Sequence, residues 1–258
     1  MRTATIQEVT DAIARHAAAT PGGAIAFDGD GTLWSGDIGE DLFEALVASG
    51  RIEPVARDAL AAEARAEGLD GSGTGAEIAS RIHHAYLAGH FPEERVCEIM
   101  TWAFAGWKVD EVAAFADRTL DAVGLGLRLH DEAIQVVKWA SSNGVDVFLV
   151  SASPRAVVLA AARRLGIDST RVTAATERVV DGRVHAAVDR PIPYGPGKVT
   201  RLRALLGTRP LYAAFGDNAF DVSLLKDARV PIAIRPKPRL VERAHEVPGL
   251  ATLAREDG

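Results

Sequence analysis

Two aspartates one residue apart, Asp28 and Asp30, follow the apolar run Ala24 to Phe27, and Gly29 and Gly31 loosen the backbone around them. A strand that stops in Asp-x-Asp points both carboxylates toward one face. The glycines let the chain bend there and let a ligand approach the main chain. This geometry suits a hard cation beside an attacking oxygen. The pair alone would also suit a calcium loop, but an EF-hand needs an oxygen ligand followed by glycine in mid-loop and a closing glutamate. This chain has Thr32, Leu33 and Gly39 at those places.

Further candidates sit after later apolar runs. Ser151 follows Val145 to Val150, while Gly216, Asp217, Asn218 and then Asp221 follow the run that ends at Phe215. Lys198, behind Pro196 and Gly197, opens a helix before that last strand. An open α/β sheet holds its ligands at the carboxyl ends of its strands, where all of these residues fall. Chemistry assigns them roles on a phosphate ester. Asp28 attacks phosphorus and forms an aspartyl phosphate. Asp30 protonates the leaving oxygen and later takes a proton from water. Magnesium, on Asp28, Asp217 and the Asp30 carbonyl, offsets the repulsion between carboxylate and phosphate. Lys198 and the Ser151 hydroxyl hold the transferring oxygens, and Asp221 orients Lys198 or completes the metal surroundings with Asn218.

The elements that position these residues are legible from periodicity. Met1 to Thr20 reads as one amphipathic helix closed by Pro21, Gly22 and Gly23. From Asp37 to Leu127 the pattern is helical almost throughout, with segments at Leu42 to Val47, Val55 to Ala66, Ala76 to Ala88, Glu93 to Ala105 and Val109 to Val123. Within it, Gly71 to Gly75 reads as a mobile lip. After Leu127 helices alternate with short apolar strands at Val145 to Val150, Val172 to Ala175, Tyr212 to Phe215 and Ile232 to Ile234. Asp181 and Gly182 mark a hairpin. The expected fold is α/β: a Rossmann-like parallel-sheet core of residues 1–36 and 128–258, with a helical insertion of residues 37–127 forming a cap.

Composition narrows the partners. The 258 residues are 48% hydrophobic and 25% charged, as in ordinary globular chains. With 35 acids against 29 bases the formal charge is -6, which gives no electrostatic reason to expect nucleic acid. One cysteine, Cys97, excludes an intrachain disulfide and a cysteine-rich zinc site. No apolar block matches a secretory signal or a membrane span, so a cytoplasmic setting without membrane contact is expected. Composition leaves the oligomeric state open.

Phe27-Asp-Gly-Asp-Gly-Thr32, Val150-Ser151, Lys198 and Gly216-Asp-Asn-Ala-Phe-Asp221, in that order, resemble the four motifs of haloacid dehalogenase (HAD) superfamily phosphatases. The likeness runs from Phe27 to about Ile234. It implies a Rossmann-like core with a squiggle and flap after the first motif, a C1 helical cap, and a magnesium-dependent phosphatase acting on a small phosphorylated metabolite. Within the superfamily the chain looks most like the phosphoserine phosphatase branch. There, an acidic residue nine positions past the nucleophile contacts the substrate amine, which implies that role for Asp37. A cap arginine meets the substrate carboxylate; alignment puts His84 at that place, with Arg81 one helical turn earlier. Phe220 stands where that branch carries asparagine.

Bland roles are expected for other residues. Phe91, Trp102, Phe104, Trp107 and Tyr86 read as cap core. The run Arg235 to Arg239 reads as a solvated loop kept irregular by its prolines. Two rival functions use a similar set: a 2-haloacid dehalogenase-type hydrolase, in which Asp30 and Asp217 would be idle, and a phospho-accepting receiver-like switch, which lacks a large insertion after its first strand.

Overall fold

The computed structural model describes residues 1–255. Its centre is β2 (Ala24–Asp28), every residue of which is buried. Alternate side chains of β2 feed two separate apolar layers: Ile25 and Phe27 on one face, Ala24 and Ala26 on the other. Helices therefore cover both faces, as a buried parallel sheet requires. Phe27 stacks on Phe215 with ring centroids 4.1 Å apart, locking β2 to its neighbour.

The remaining strands of the main sheet are β1 (Arg2–Ala4), β3 (Asp146–Pro154), β4 (Val172–Ala175), β7 (Leu211–Gly216), β8 (Val230–Ala233) and β9 (Ala251–Leu253). Their spatial order is β1-β9-β8-β7-β2-β3-β4. Every pairing is parallel. The chain leaves β2 toward β3 and β4, then crosses back to place β7 on the other side of β2. That reversal is the switch point at which open α/β sheets gather ligands.

The N-terminal segment differs from the single helix expected. Thr5 accepts a hydrogen bond from the Glu8 amide in a capping box, so the helix is α1 (Ile6–Ala19), and the preceding three residues form β1 at the sheet edge against β9. The interstrand helices follow the expected rhythm: α7 (Asp131–Ser142), α8 (Arg155–Arg164), α9 (Pro196–Leu206), α10 (Val222–Asp227) and α11 (Pro238–Glu242).

Between β2 and α7 lie five helices: α2 (Ile38–Ser49), α3 (Pro54–Ala66), α4 (Gly75–Leu87), α5 (Glu93–Trp102) and α6 (Val109–Ala122). Asp37 caps α2 by accepting from the Gly39 and Glu40 amides at 2.8 and 2.9 Å. Phe104, Trp107 and Phe115 meet edge to face, with centroids 5.3 to 5.8 Å apart. Phe91, Trp102, Phe104 and Trp107 are buried as a cap core demands.

A two-stranded antiparallel ribbon, β5 (Glu177–Val180) and β6 (Arg183–Val188), turns at Asp181 and Gly182, both with positive φ (50° and 74°). This ribbon is bonded to the helical insertion. The Gly106 amide donates to the Val184 carbonyl and the Val184 amide to the Trp107 carbonyl, each at 2.9 Å. The Arg183 guanidinium adds a 2.6 Å bond to the Gly106 carbonyl. Among the described residues, no helix is long and apolar enough to cross a membrane.

Candidate active site

The carboxyl ends of β2, β3 and β7 and the first turn of α9 converge on one cavity of about 340 Å³. Its floor is a buried ionic cluster. Lys198 Nζ donates to Asp28 Oδ1 at 2.5 Å and also to Asp221 Oδ1. Thr32 Oγ1 donates to Asp28 Oδ2 at 3.0 Å. Burial, followed by the charge of Asp221, holds the Asp28 carboxyl well above the ordinary aspartate value. Burial opposes the charge on Lys198, but Asp221 and Asp28 outweigh it and hold the ammonium above its usual value.

Asp221 is committed on both sides. Its Oδ1 faces Lys198, and its Oδ2 accepts from the Asp217 and Asn218 amides, each at 3.0 Å. It therefore locks the loop after β7 to the lysine. Gly216 is required for this packing, because a Cβ there would lie 2.5 Å from the Asp221 Cβ.

Asp217 is left differently. Its Oδ2 is buried and makes no hydrogen bond among the described residues. The Lys237 ammonium, at the end of a half-exposed side chain, lies 2.9 Å away and pairs with it. Burial and then Asp221 push the Asp217 carboxyl up to about 6. One oxygen each from Asp28, Asp217 and Asp221 fall within 4.8 Å of one another. A buried carboxylate whose inner oxygen meets only a half-exposed lysine tip, beside two further carboxylates, is the chemistry of a divalent-cation site. Gly31, at φ +81°, brings the main chain against it: a Cβ there would stand 2.0 Å from Asp217 Oδ2.

Asp30 faces a different set of donors. Its Oδ1 accepts from Trp34 Nε1 at 2.8 Å and from the Ile38 amide at 2.7 Å. Its Oδ2 accepts from Ser153 Oγ at 2.7 Å and Ser151 Oγ at 3.3 Å. Only the hydroxyls can reverse and accept, so Oδ2 is the oxygen able to carry a proton.

Of the residues singled out in the sequence, Asp28, Asp30, Lys198, Asp217, Asn218, Asp221 and Asp37 border the cavity. Ser151 is fully buried behind it and touches Asp30, while Ser153, also buried, lines it. Because β3 continues to Pro154, Ser151 and Ser153 share one strand face, a Ser-x-Ser spacing that the earlier expected strand end concealed.

Arg81 and His84 do not reach the cavity. They border a separate shallow hollow on α4, where Arg81 donates to the Asp70 and Ser72 carbonyls and His84 approaches Ser80 at 3.5 Å. The Gly71 to Gly75 segment lies with them, so it is not a lip of the cleft; Gly75 already opens α4. Two bland assignments are also corrected. Tyr86, packed against the cap core, also lines the cavity, and the Arg235 to Arg239 run is not irregular throughout: Pro238 opens α11, while Lys237, still half exposed, pairs with Asp217. Phe220, singled out within the Gly216 to Asp221 motif, joins Glu40, Glu93 and Tyr194 in the outer wall; the surroundings of the last three carried no signal beyond helical or loop periodicity.

Known proteins resemble this chain in sequence and in fold. The family model of haloacid dehalogenase-like hydrolases matches residues 25–226. A phosphoserine phosphatase of Streptomyces coelicolor is 28% identical over 243 residues, covering 81% of this chain and 58% of its own length. One from Mycobacterium tuberculosis is 30% identical over 139 residues, covering 49% and 44%. The chain thus spans about half the length of the curated relatives it matches. A solved protein of unknown function from Bordetella pertussis superposes with a TM-score of 0.71 at 24% identity, covering 90% of this chain and 97% of that one. A substrate-bound phosphoserine phosphatase superposes with a TM-score of 0.53 at 19% identity, covering 89% and 92%, and so shares the fold. With the family model matched over most of its length, the chain belongs to the haloacid dehalogenase-like hydrolases.

Proposed function

We propose that the protein is a magnesium-dependent phosphomonoesterase that acts on a small phosphorylated metabolite through an aspartyl phosphate on Asp28. One observation carries the reading: the Lys198-bridged Asp28 carboxylate stands in one buried cluster with Asp217 and Asp221, their oxygens within 4.8 Å of one another. A haloacid dehalogenase-type displacement gives no use to the Asp217 carboxylate. A receiver-like switch gives none to a five-helix insertion above the site. The relatives named phosphoserine phosphatases support the same reaction class.

Asp28 and Asp217, with the Asp30 carbonyl, are the residues that would hold the cation, and Asp221, bound to Lys198 and two amides, stands behind them. When bound, the cation supplies the neutralisation that lets an anionic carboxylate approach a phosphate dianion. Lys198 keeps its charge and faces the transferring oxygens. An Asp28 oxygen forms the bond to phosphorus while the ester oxygen departs with the proton of Asp30 Oδ2. Asp30 then takes a proton from water, whose oxygen attacks phosphorus and returns Asp28 and inorganic phosphate. Ser151 and Ser153 follow the proton by rotating their hydroxyls between donating and accepting. The helical insertion excludes bulk water and favours small substrates over folded phosphoproteins. A cytoplasmic setting is part of the proposal.

The test is phosphate release from a panel of small phosphomonoesters, with magnesium and with a chelator. Multiple turnovers that need magnesium and vanish in Asp28→Asn are expected. Turnover that survives Asp28→Asn, or halide release from a haloacid without any phosphatase activity, overturns the reading.

A further inference from the structure

The rest of the cavity wall, its outer chamber, includes Asp37, Glu40, Glu93, Tyr86, Tyr194 and Phe220. Three are carboxylic acids and three are aromatic rings. Tyr194 and Phe220 pair with centroids 4.5 Å apart. Among the described residues the cavity's cations are Lys198 and Lys237, and both are engaged at the floor, the first by Asp28 and Asp221 and the second by Asp217. No arginine lines it among those residues. Arg239 approaches Glu93 at 3.6 Å from an adjoining hollow, with its side chain 70% exposed.

The chamber's negative field registers on its neutral groups. Burial, then Glu40 and Glu93, push the Tyr86 phenol up; burial, then Glu93, does the same to Tyr194. Burial, then Asp37 and Glu93, raise the Cys97 thiol. Burial, then Asp30, raises the Asp37 carboxyl, and burial raises that of Glu93 against the opposing charges of Arg239 and Lys237.

We propose that this chamber selects phosphomonoesters whose alcohol carries a cationic amine and no carboxylate, with Glu40 and Glu93 adding counter-charge to the Asp37 contact that the family resemblance already implies, and the three rings meeting methylene or N-alkyl groups. The inference rests on the phosphatase reading above. A desolvated ammonium needs both a counter-charge and a polarisable surface, and aromatic faces beside carboxylates supply the two together. A substrate carboxylate would enter a wall of like charge without a guanidinium to receive it. A volume of about 340 Å³ admits a short amino alcohol phosphate. Phosphoserine, the substrate in the names of the relatives, is therefore the critical competitor.

The experiment compares kcat/KM of the full chain with magnesium on four esters: 2-aminoethyl phosphate, its N,N,N-trimethyl form, the neutral 2-hydroxyethyl phosphate, and phosphoserine. At least one of the cationic esters is expected to exceed both the neutral ester and phosphoserine by about tenfold or more. Glu93→Gln, with Glu40→Gln as a second variant, is expected to shrink the cationic-to-neutral ratio by about fivefold, through KM. Equal turnover of cationic and neutral esters, or phosphoserine as the preferred substrate, overturns the inference while leaving the phosphatase reading standing. Failure to hydrolyse any ester removes the phosphatase reading and the inference with it.

Discussion

Lys198 Nζ sits 2.5 Å from Asp28 Oδ1 with both side chains buried, and the same ammonium is shared with Asp221. One cation between two carboxylates leaves this part of the floor net negative, which makes its response to substitution asymmetric.

Removal of the negative partner is mild for the fold. Asp28→Asn keeps the shape, relieves repulsion from Asp221 and leaves Lys198 paired. Its melting temperature is expected to stay within a few degrees of wild type by calorimetry, while phosphate release falls about 1,000-fold or more. A large loss of stability would contradict the burial argument.

Removal of the positive partner is severe. Lys198→Met strands two buried carboxylates and is expected to cost about 3–5 kcal/mol in denaturant unfolding. Adding Asp221→Asn should restore part of that loss, because the two substitutions act on one pair and are not additive. Activity remains absent in both.

Asp217 sets a pH dependence whose sign follows from its raised value. The native carboxyl, at about 6 against an ordinary 3.8, binds its proton more tightly than the unfolded chain does. Its contribution to stability is thus complete below pH 4 and is lost as pH climbs through 6, about 3 kcal/mol in all. Unfolding measured from pH 4 to 7 in chelator should show this downward component, and Asp217→Asn should flatten it.

Gly31→Ala tests the close approach of backbone to Asp217. The added Cβ would meet Oδ2 at 2.0 Å in a left-handed conformation. Backbone strain of about 1–2 kcal/mol is expected, with a loss of kcat larger than that destabilisation explains, because Asp217 must move. Parallel melting curves and initial rates separate the two effects.

The strand-end residues were legible because their signals are local: apolar runs stop, and acids, serine or lysine follow within a few positions. Asp28, Asp30, Lys198, Asp217 and Asp221 meet because β2 lies between β3 and β7 and α9 starts at their carboxyl ends. What escaped notice depends on long-range placement. The three residues of β1 are too few to interrupt a helical period, and their partner β9 lies at the other end of the chain. Lys237 is half exposed, as its place between prolines suggests, yet its amide donates to the Asp217 carbonyl at 2.8 Å, which brings its ammonium to the site. Tyr86 and Glu93 occupy ordinary helix positions whose facing partner no periodicity reveals. Arg81 and His84 followed alignment, whereas the turns of α4 carry them to another side of the helix from Tyr86.

The backbone bonds that join Gly106 and Trp107 to Val184 make the roof and the ribbon one mechanical piece. Ligand traffic that parts the roof from the floor must therefore either flex the stems of that ribbon or rupture peptide-to-peptide links. Refashioning substrate choice by exchanging the helical insertion with a cousin's would demand transplanting the ribbon as well, for a borrowed roof would otherwise arrive without its clasp.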